Sequence, residues 1–156
     1  NILQVDDKNP YTANKPYYTE SFRQSVCGPA PTLVQDEKSV RLRHSGYSRL
    51  DGCEDVNRTW EFDGAALRII DQVAGQGVHR ICRRLNTRSP VEVASGEILL
   101  RSEIADFRIT TDSNTTIETC RSTYWPAYGS GEPATALEIT VDAPLPWSGT
   151  ISVERM

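Results

Sequence analysis

The chain alternates short apolar runs with glycine-bearing turns, and this pattern is densest in residues 44–85. In one run Trp60 and Phe62 alternate with polar neighbours, and in the next Leu67 and Ile69 alternate with Arg68 and Ile70. A period of two places apolar side chains on one face of a β-sheet. The centre of the chain therefore predicts half-buried β-strands.

Three turn signals separate these runs, at Asp51-Gly52, Asp63-Gly64 and Gly75-Gln76-Gly77. A tight hairpin turn requires positive φ angles, which glycine adopts without steric cost. The turns and runs together predict a meander of antiparallel strands at the centre of the fold.

Apolar runs continue on both sides of this meander, with Gly, Pro, Asn and Ser between them. They cover residues 1–6, 39–47, 91–94, 97–101, 104–110, 115–122, 136–141 and 150–153. Even spacing of this kind is typical of an all-β sandwich. We expect an antiparallel, supersandwich-like β-sandwich of roughly ten or more strands, with Trp60 packed in its core, so that Trp60→Ala costs about 3–5 kcal/mol.

One segment, Val78–Leu85, fits both a helical and a strand pattern. Val78, Ile81, Cys82 and Leu85 have the spacing of an amphipathic helix. Read as a strand, the same stretch places Ile81 and Leu85 inward and Arg80 and Arg84 outward. Periodicity leaves both interpretations open. Irregular segments are predicted at 6–18, 27–31, 110–116 and 124–133, where prolines, glycines or polar residues cluster.

Length and charge restrict the classes of function. The 156 residues form a single predicted domain, 1–156, and its first residue is Asn1, as expected for a domain excised from a larger protein. A net charge of −4 with interspersed signs offers no basic surface for nucleic acid. No apolar run is long enough to span a bilayer, so we expect neither nucleic-acid nor membrane partners.

The four cysteines, Cys27, Cys53, Cys82 and Cys120, lack the close spacing of a zinc knuckle or a redox pair. Free buried thiols and two disulfides both fit this spacing. We favour free thiols, because a domain of this size has core enough without covalent links.

Only two histidines are present, and no phosphate loop, dinucleotide fingerprint or hydrolase motif accompanies them. His44 follows an extended run and precedes Ser45-Gly46-Tyr47, so it lies near a strand end where a base or a ligand is usable. His79 follows a glycine turn and is expected to be structural. The sequence thus offers no self-contained catalytic set.

Aromatic residues interleave with polar ones near the start of the chain, at Tyr11, Tyr17, Tyr18 and Phe22, and again in the segment YWPAY at 124–128. Aromatic faces can stack on the C–H faces of sugar rings. The same residues could instead pack as a lid on the sandwich. Tyr11, Tyr17 and Tyr47, the last beside His44, are the candidate substrate-binding residues.

The order of several segments resembles the C-terminal β-domain of the heparinase II/III-like polysaccharide lyases, which are bacterial enzymes. The segments are NILQVDDKNP, ESFR, RHSGYSRL, NRTWEF, LRIIDQVAGQGVH and RRL, within about the first 85 residues. That family typically shows an opening His-Asn-Thr-x-x-x-Asp-Gly, a later His-Asp-Gly-Tyr-x-Arg-Leu and an Asp-x-x-x-Gly-x-Gly-x-His turn. Here Ile2 replaces the usual Thr and Asp7 the usual Gly.

The resemblance implies a parent enzyme, a carbon–oxygen lyase that cleaves an acidic, glycosaminoglycan-type polysaccharide by β-elimination at a uronic acid. A helical toroid would precede this domain in the same chain, and the substrate cleft would lie between the two. The family draws most catalytic groups from the toroid, and its one β-domain histidine would fall just before Asn1. We therefore expect an inactive fragment from a periplasmic or secreted parent, with a cytoplasmic one also possible.

The resemblance also implies a role for His44, which occupies a histidine position of the family pattern. It is the candidate that this chain offers as a catalytic group or as a ligand of a structural metal, zinc or calcium. Asn57 stands where many relatives have another histidine. Two rival interpretations remain, a free-standing carbohydrate-binding sandwich and a purely structural module.

Overall fold

The computed structural model describes residues 2–11, 19–27, 29–94 and 96–156. Within them the chain forms twelve strands and one helix. In chain order these are β1 (Ile2–Val5), α1 (Glu20–Cys27), β2 (Thr32–Gln35), β3 (Ser39–His44), β4 (Cys53–Phe62), β5 (Ala66–Gly75), β6 (Val78–Thr87), β7 (Val91–Ala94), β8 (Glu97–Arg101), β9 (Asp106–Thr111), β10 (Thr116–Ala127), β11 (Ser130–Pro144) and β12 (Trp147–Arg155).

Two antiparallel sheets form the fold, which confirms the predicted all-β sandwich. The smaller sheet has the strand order β1-β6-β11-β10, and the larger has the order β2-β3-β4-β5-β12-β9-β8-β7. Both β6 and β12 therefore lie inside their sheets, beside strands from distant parts of the sequence.

The Asp63-Gly64 hairpin forms as predicted, with Gly64 at φ 72°, and β3, β4 and β5 make a meander. The Gly75-Gln76-Gly77 turn, however, is a crossover, because β6 leaves this meander and joins the smaller sheet. A Cβ on Gly75 would lie 2.0 Å from the Gly52 carbonyl oxygen. Glycine thus permits the close backbone contact at which the chain changes sheets.

The ambiguous segment 78–85 is a strand, and Ile81 faces the core with no exposed surface. The helix of the described chain lies instead at Glu20–Cys27, where the sequence pattern predicted none. Its signal is a cap, because the Phe22 N–H donates to Thr19 Oγ1 over 3.2 Å at the helix start. No described helix has the length and apolar character needed to cross a membrane.

The predicted aromatic loop at 124–133 is largely strand, since β10 and β11 continue as a long two-stranded ribbon to a turn at Gly129. Proline was the reason to expect a loop. It is tolerated here because β10 is an edge strand and the register shifts between Tyr124 and Ala127, around Pro126. Trp125 is 63% exposed on this ribbon.

The core consists of two apolar clusters with charged side chains between them. The first contains Leu3, Val5, Tyr47, Cys53, Val56, Val73, Ile81, Ala143 and Leu145. The second contains Ile69, Ile98, Ile109, Leu137, Ile139 and Ile151. Along β4, β5 and β6 the residue between the two clusters is Arg58, Asp71 and Arg83 respectively.

These three charged side chains are buried, and Asp71 and Arg83 have no exposed surface. Arg58 donates to both Asp71 carboxylate oxygens, with Nε at 2.6 Å and Nη2 at 3.0 Å. From the other sheet, Arg83 Nη2 donates to Thr111 Oγ1 over 2.7 Å and lies 3.3 Å from an Asp112 oxygen. We call Arg58, Asp71, Arg83 and Asp112 the interior charge row.

Trp60 and Phe62 share a face of β4 in the middle of the larger sheet, as predicted. Trp60 packs against the second core cluster but is only half-buried, and Phe62 is 48% exposed. Trp60 is therefore packed against the core, as expected, but at its margin and not fully enclosed. Charged Arg58, two residues earlier on the same face, occupies the deeper position.

We predict that removing one member of the interior charge row lowers the free energy of unfolding more than removing a charge pair together. Asp71→Leu leaves the buried Arg58 without its carboxylate partner and should lower the free energy of unfolding by about 3–5 kcal/mol. The double variant Arg58→Met/Asp71→Leu should lose less than Asp71→Leu alone, because it removes the stranded cation. Urea unfolding measures both; a double variant less stable than the single one would contradict this interpretation.

Candidate functional site

His44 ends β3 and lines a small pocket between the larger sheet and the first strand of the chain. The pocket holds about 180 Å³. Its other lining residues are Ile2, Leu3, Pro10, Tyr11, Pro31, Leu42, Val56, Arg58 and Trp60. Pockets that enclose small ligands usually hold about 300–1,000 Å³. The His44 pocket is thus large enough for a ring edge or a substituent, not for a whole disaccharide.

The turn after β3 fixes the chain segment that forms one wall of this pocket. The Tyr47 hydroxyl donates to the Leu3 carbonyl and lies 3.2 Å from the Lys8 carbonyl. Arg49 Nη1 donates to the Pro10 carbonyl over 2.7 Å. A Cβ on Gly46 would lie 2.4 Å from that same oxygen. Glycine at this position therefore lets residues 8–11 pack against the turn.

The structure brings two candidate tyrosines to His44. Ring centroids are 5.8 Å apart for Tyr11 and His44, and 6.0 Å apart for His44 and Tyr47. Tyr47 is fully buried, and burial raises the pKa of its hydroxyl well above the ordinary value. Tyr47 thus has no exposed surface in this structure, and its hydroxyl is engaged with the Leu3 and Lys8 carbonyls. Tyr17 lies outside the described residues.

The hydrogen bonding of His44 defines its protonation. The Gly46 N–H donates to His44 Nδ1 over 3.1 Å, so the neutral ring carries its proton on Nε2. Burial lowers the pKa of His44, and the Arg58 cation lowers it further, against a smaller opposite effect of Asp55. At neutral pH, His44 is thus suited to donate a hydrogen bond and poorly suited to act as a base.

This arrangement does not fit the metal that the resemblance implies. A His that binds a metal through Nε2 normally donates from Nδ1, whereas Nδ1 of His44 accepts a hydrogen bond. Asn57 lies on the opposite face of β4 from Val56, the residue paired with His44. Across the described residues, no three His, Cys, Asp or Glu side chains form a group that could hold a metal ion.

Asp55 and Arg58 lie near His44 and were not identified as candidates from the sequence. Ser45 Oγ donates to Asp55 Oδ1 over 2.9 Å, and Arg43 pairs with the other oxygen. These bonds to Arg43 and Ser45 hold the pKa of Asp55 below its usual value. Arg58 supplies a cation to the pocket wall. Alternation gave no signal for Arg58, because it occupies a position that the pattern assigns to an apolar side chain.

His79 joins the end of β1 to the crossover, in keeping with its expected structural role. Its Nδ1 lies 2.9 Å from Asp6 Oδ2, and its Nε2 lies 3.0 Å from the Gln76 carbonyl oxygen. Both partners accept hydrogen bonds, so the hydrogen bond to Asp6, although opposed by burial, raises the pKa of His79. Asp7 has φ 57°, the left-handed conformation that suits the family's glycine and that Asp tolerates.

Cys53 Sγ lies 3.8 Å from the same His79 nitrogen that faces Asp6. A nucleophilic triad would need the two partners on different ring nitrogens. Burial also raises the pKa of the Cys53 thiol, and the Asp6 and Asp51 carboxylates raise it further. Cys53 is thus an unreactive thiol. Cys82 is likewise free and buried, whereas Cys120 is free and exposed, contrary to the expectation that all free thiols are buried.

No protein-family model and no curated protein sequence matches the chain. Several solved structures, however, match the chain. Heparinase III, the BT4657 gene product, matches 100% of this chain with a TM-score of 0.73 at 13% identity. The heparan sulfate lyase HepC from Pedobacter heparinus matches 96% with a TM-score of 0.63 at 10% identity. A 4-alpha-glucanotransferase from Thermococcus litoralis matches 81% with a TM-score of 0.54 at 10% identity.

These matches show the fold of the chain. It has the fold of a β-sandwich part of the heparinase structures, which confirms the resemblance at that level. The chain spans 23% of the BT4657 gene product and 28% of HepC. The match to the glucanotransferase shows that the same kind of sandwich also occurs in a protein named for another activity.

We predict that the two histidines titrate in opposite directions from the ordinary value of 6.5. His44 should titrate below it, because burial and Arg58 disfavour its cation. His79 should titrate above it, because Asp6 favours its cation. Ring-proton NMR as a function of pH measures both in one sample, and a midpoint for His44 above that of His79 would contradict the assignment.

We also predict that the Asp6–His79 pair makes stability depend on pH. The raised pKa of His79 contributes stability that is fully present below pH 6.5 and is lost as pH rises through the folded value. Burial alone would raise the pKa of Asp6, but the hydrogen bonds from His79 and Arg80 together lower it, so its contribution is lost only as pH falls below 3.8. The lowered pKa of His44 acts in the opposite direction up to about pH 6.5, so the thermal unfolding temperature should decline as pH rises above 6.5.

Asp6→Asn should lower the unfolding temperature at pH 6 and flatten this decline. Asp7→Asn is the matched control, since Asp7 is the adjacent exposed carboxylate with the same left-handed backbone. An Asp6→Asn variant with the same decline as the parent chain would show that the pair does not cause it.

Proposed function

We propose that this chain is the β-sandwich domain of a polysaccharide lyase that cleaves a uronate-containing polymer by β-elimination. The observation that carries the proposal is the match to heparinase III, which includes the whole of this chain and about a quarter of that protein. The sequence segments that resemble the lyase family support it independently, since they include the turn that builds the His44 pocket.

In this proposal the domain supplies one wall of the substrate cleft and an N-terminal helical toroid supplies the other. Elimination requires a base near the C5 proton, an acid near the leaving oxygen and a group that neutralises the carboxylate. The His44 pocket does not provide this set. His44 accepts from Gly46 at Nδ1, and Arg58 is engaged with Asp71 through two hydrogen bonds.

The role we infer for His44 is therefore to contact the polymer as a hydrogen-bond donor through Nε2. Tyr11 lies beside it and extends the same wall with an aromatic ring. A donor and an aromatic ring on a shallow pocket suit a sugar residue that is held by one edge. The base and the acid would come from outside this chain.

A carbohydrate-binding module without lyase activity is the second candidate. The exposed aromatic residues of the β10–β11 ribbon favour it, because Trp125 is 63% exposed and Tyr128 is fully exposed. Exposed aromatic groups of this kind mark interaction surfaces. In that case the ribbon would contact sugar, and the domain would attach a protein to a glycan.

We predict that the 156-residue chain alone does not cleave heparin, heparan sulfate or alginate, whereas a longer protein that carries it after a helical domain does. The measurement is the ultraviolet absorbance of the unsaturated uronate product, with both proteins assayed side by side. Turnover by the short chain would overturn the domain assignment. A longer protein that is inactive on a broad polysaccharide panel would favour the binding module.

We further predict that His44→Ala in the longer protein lowers kcat/KM about tenfold, the loss expected for one hydrogen bond to substrate. A catalytic base would show a much larger fall, of about 10²-fold or more. Glu37→Gln, an exposed substitution in the β2–β3 turn, is the control and should leave kcat/KM unchanged. Activity of His44→Ala equal to that of this control would remove His44 from the cleft.

A further inference from the structure

A second and larger groove, of about 720 Å³, lies beside the connection between β9 and β10. It is lined by that connection, by parts of β10 and β11 and by Trp147 at the start of β12. None of its lining residues belongs to the His44 pocket. The groove is therefore a separate candidate site, and the function proposed above does not use it.

Two of the lining residues, Asp112 and Trp147, lie close to Gly149. A Cβ there would lie 2.3 Å from the Trp147 ring and 2.6 Å from Asp112 Oδ2, so glycine allows these two side chains to lie together over β12. The Thr150 N–H donates to both Asp112 oxygens, at 3.2 and 3.0 Å. The fully buried Arg83 holds the same carboxylate at 3.3 Å. Asp112 is thus oriented by fixed partners, and its side chain is still 42% exposed.

The charges of the groove are mainly negative. Asp112, Glu118 and Asp142 contribute carboxylates, and Arg80 is the cation among the lining residues. Arg80 pairs with Asp7 at 3.5 Å, outside the groove. Among the described residues, Glu118 and Asp142 take part in no ion pair. Such a lining disfavours carboxylate and sulfate groups by like-charge repulsion.

We propose that this groove binds a sugar residue without acidic groups, either uncharged or amino-bearing. Carboxylates accept hydrogen bonds from hydroxyl and ammonium groups, and Ser113, Asn114 and Thr115 add further polar partners. Trp147 gives the floor an apolar ring. The volume suits one or two sugar rings, since sites for small ligands hold about 300–1,000 Å³. The groove would thus select against the uronate that the proposed cleft requires.

The test uses the isotope-labelled 156-residue chain and three probes in NMR titrations. The probes are a trimer of N-acetylglucosamine, a trimer of glucosamine and a heparan sulfate tetrasaccharide. The indole N–H of Trp147 and the amide of Thr150 report on the groove, and the indoles of Trp60 and Trp125 report on other surfaces. Thermal unfolding of each variant checks that it is folded.

The first two probes should shift the Trp147 and Thr150 signals, and heparan sulfate should not. Glu118→Gln/Asp142→Asn, which changes exposed side chains only, should weaken glucosamine-trimer binding at least fivefold, whereas Glu37→Gln should change it less than twofold. Absence of shifts with either of the first two probes, equal or tighter binding of heparan sulfate, or an unaffected double variant would each overturn the proposal. The result does not depend on lyase activity in the longer protein.

Discussion

The interior charge row is the constraint on which the rest of this sandwich depends. In the larger sheet Arg58 pairs with Asp71, and Asp71 pairs in register with Gly149. From the smaller sheet Arg83 packs over Trp147 at 5.4 Å. Because a stranded buried charge costs several kcal/mol, these contacts fix the strand register on both sheets at once. They also separate the core into two apolar clusters.

The same row connects the two candidate sites. Its first member, Arg58, forms part of the His44 pocket, and its last member, Asp112, forms part of the larger groove beside the β9–β10 connection. Alternating charges between them give one end of the row a cation and the other end a carboxylate. The two ends differ in exposure, because Arg58 is 8% exposed and bonded to Asp71, whereas the Asp112 side chain is 42% exposed.

Alternation and glycine turns were sufficient to predict the sheets but not the connections between them. The alternation of Leu67 and Ile69 can be seen within a few residues of sequence. The crossover at Gly75, in contrast, depends on contact with Gly52, which is distant in sequence. Arg83 could not be identified as buried, because its partners Thr111 and Asp112 come from another sheet. The sequence did provide His44, Tyr11 and Tyr47 as candidates. They lie close together because the segment RHSGYSRL forms a turn that contacts the N-terminal segment.

The ribbon of β10 and β11 also affects the tendency of this protein to aggregate. An exposed edge strand can pair with a strand of a neighbouring chain and start aggregation. Pro126 offers no N–H for such pairing, and the irregular register beside it interrupts the row of backbone donors and acceptors. The aromatic residues at the end of the ribbon can therefore remain exposed to solvent without promoting edge-to-edge assembly.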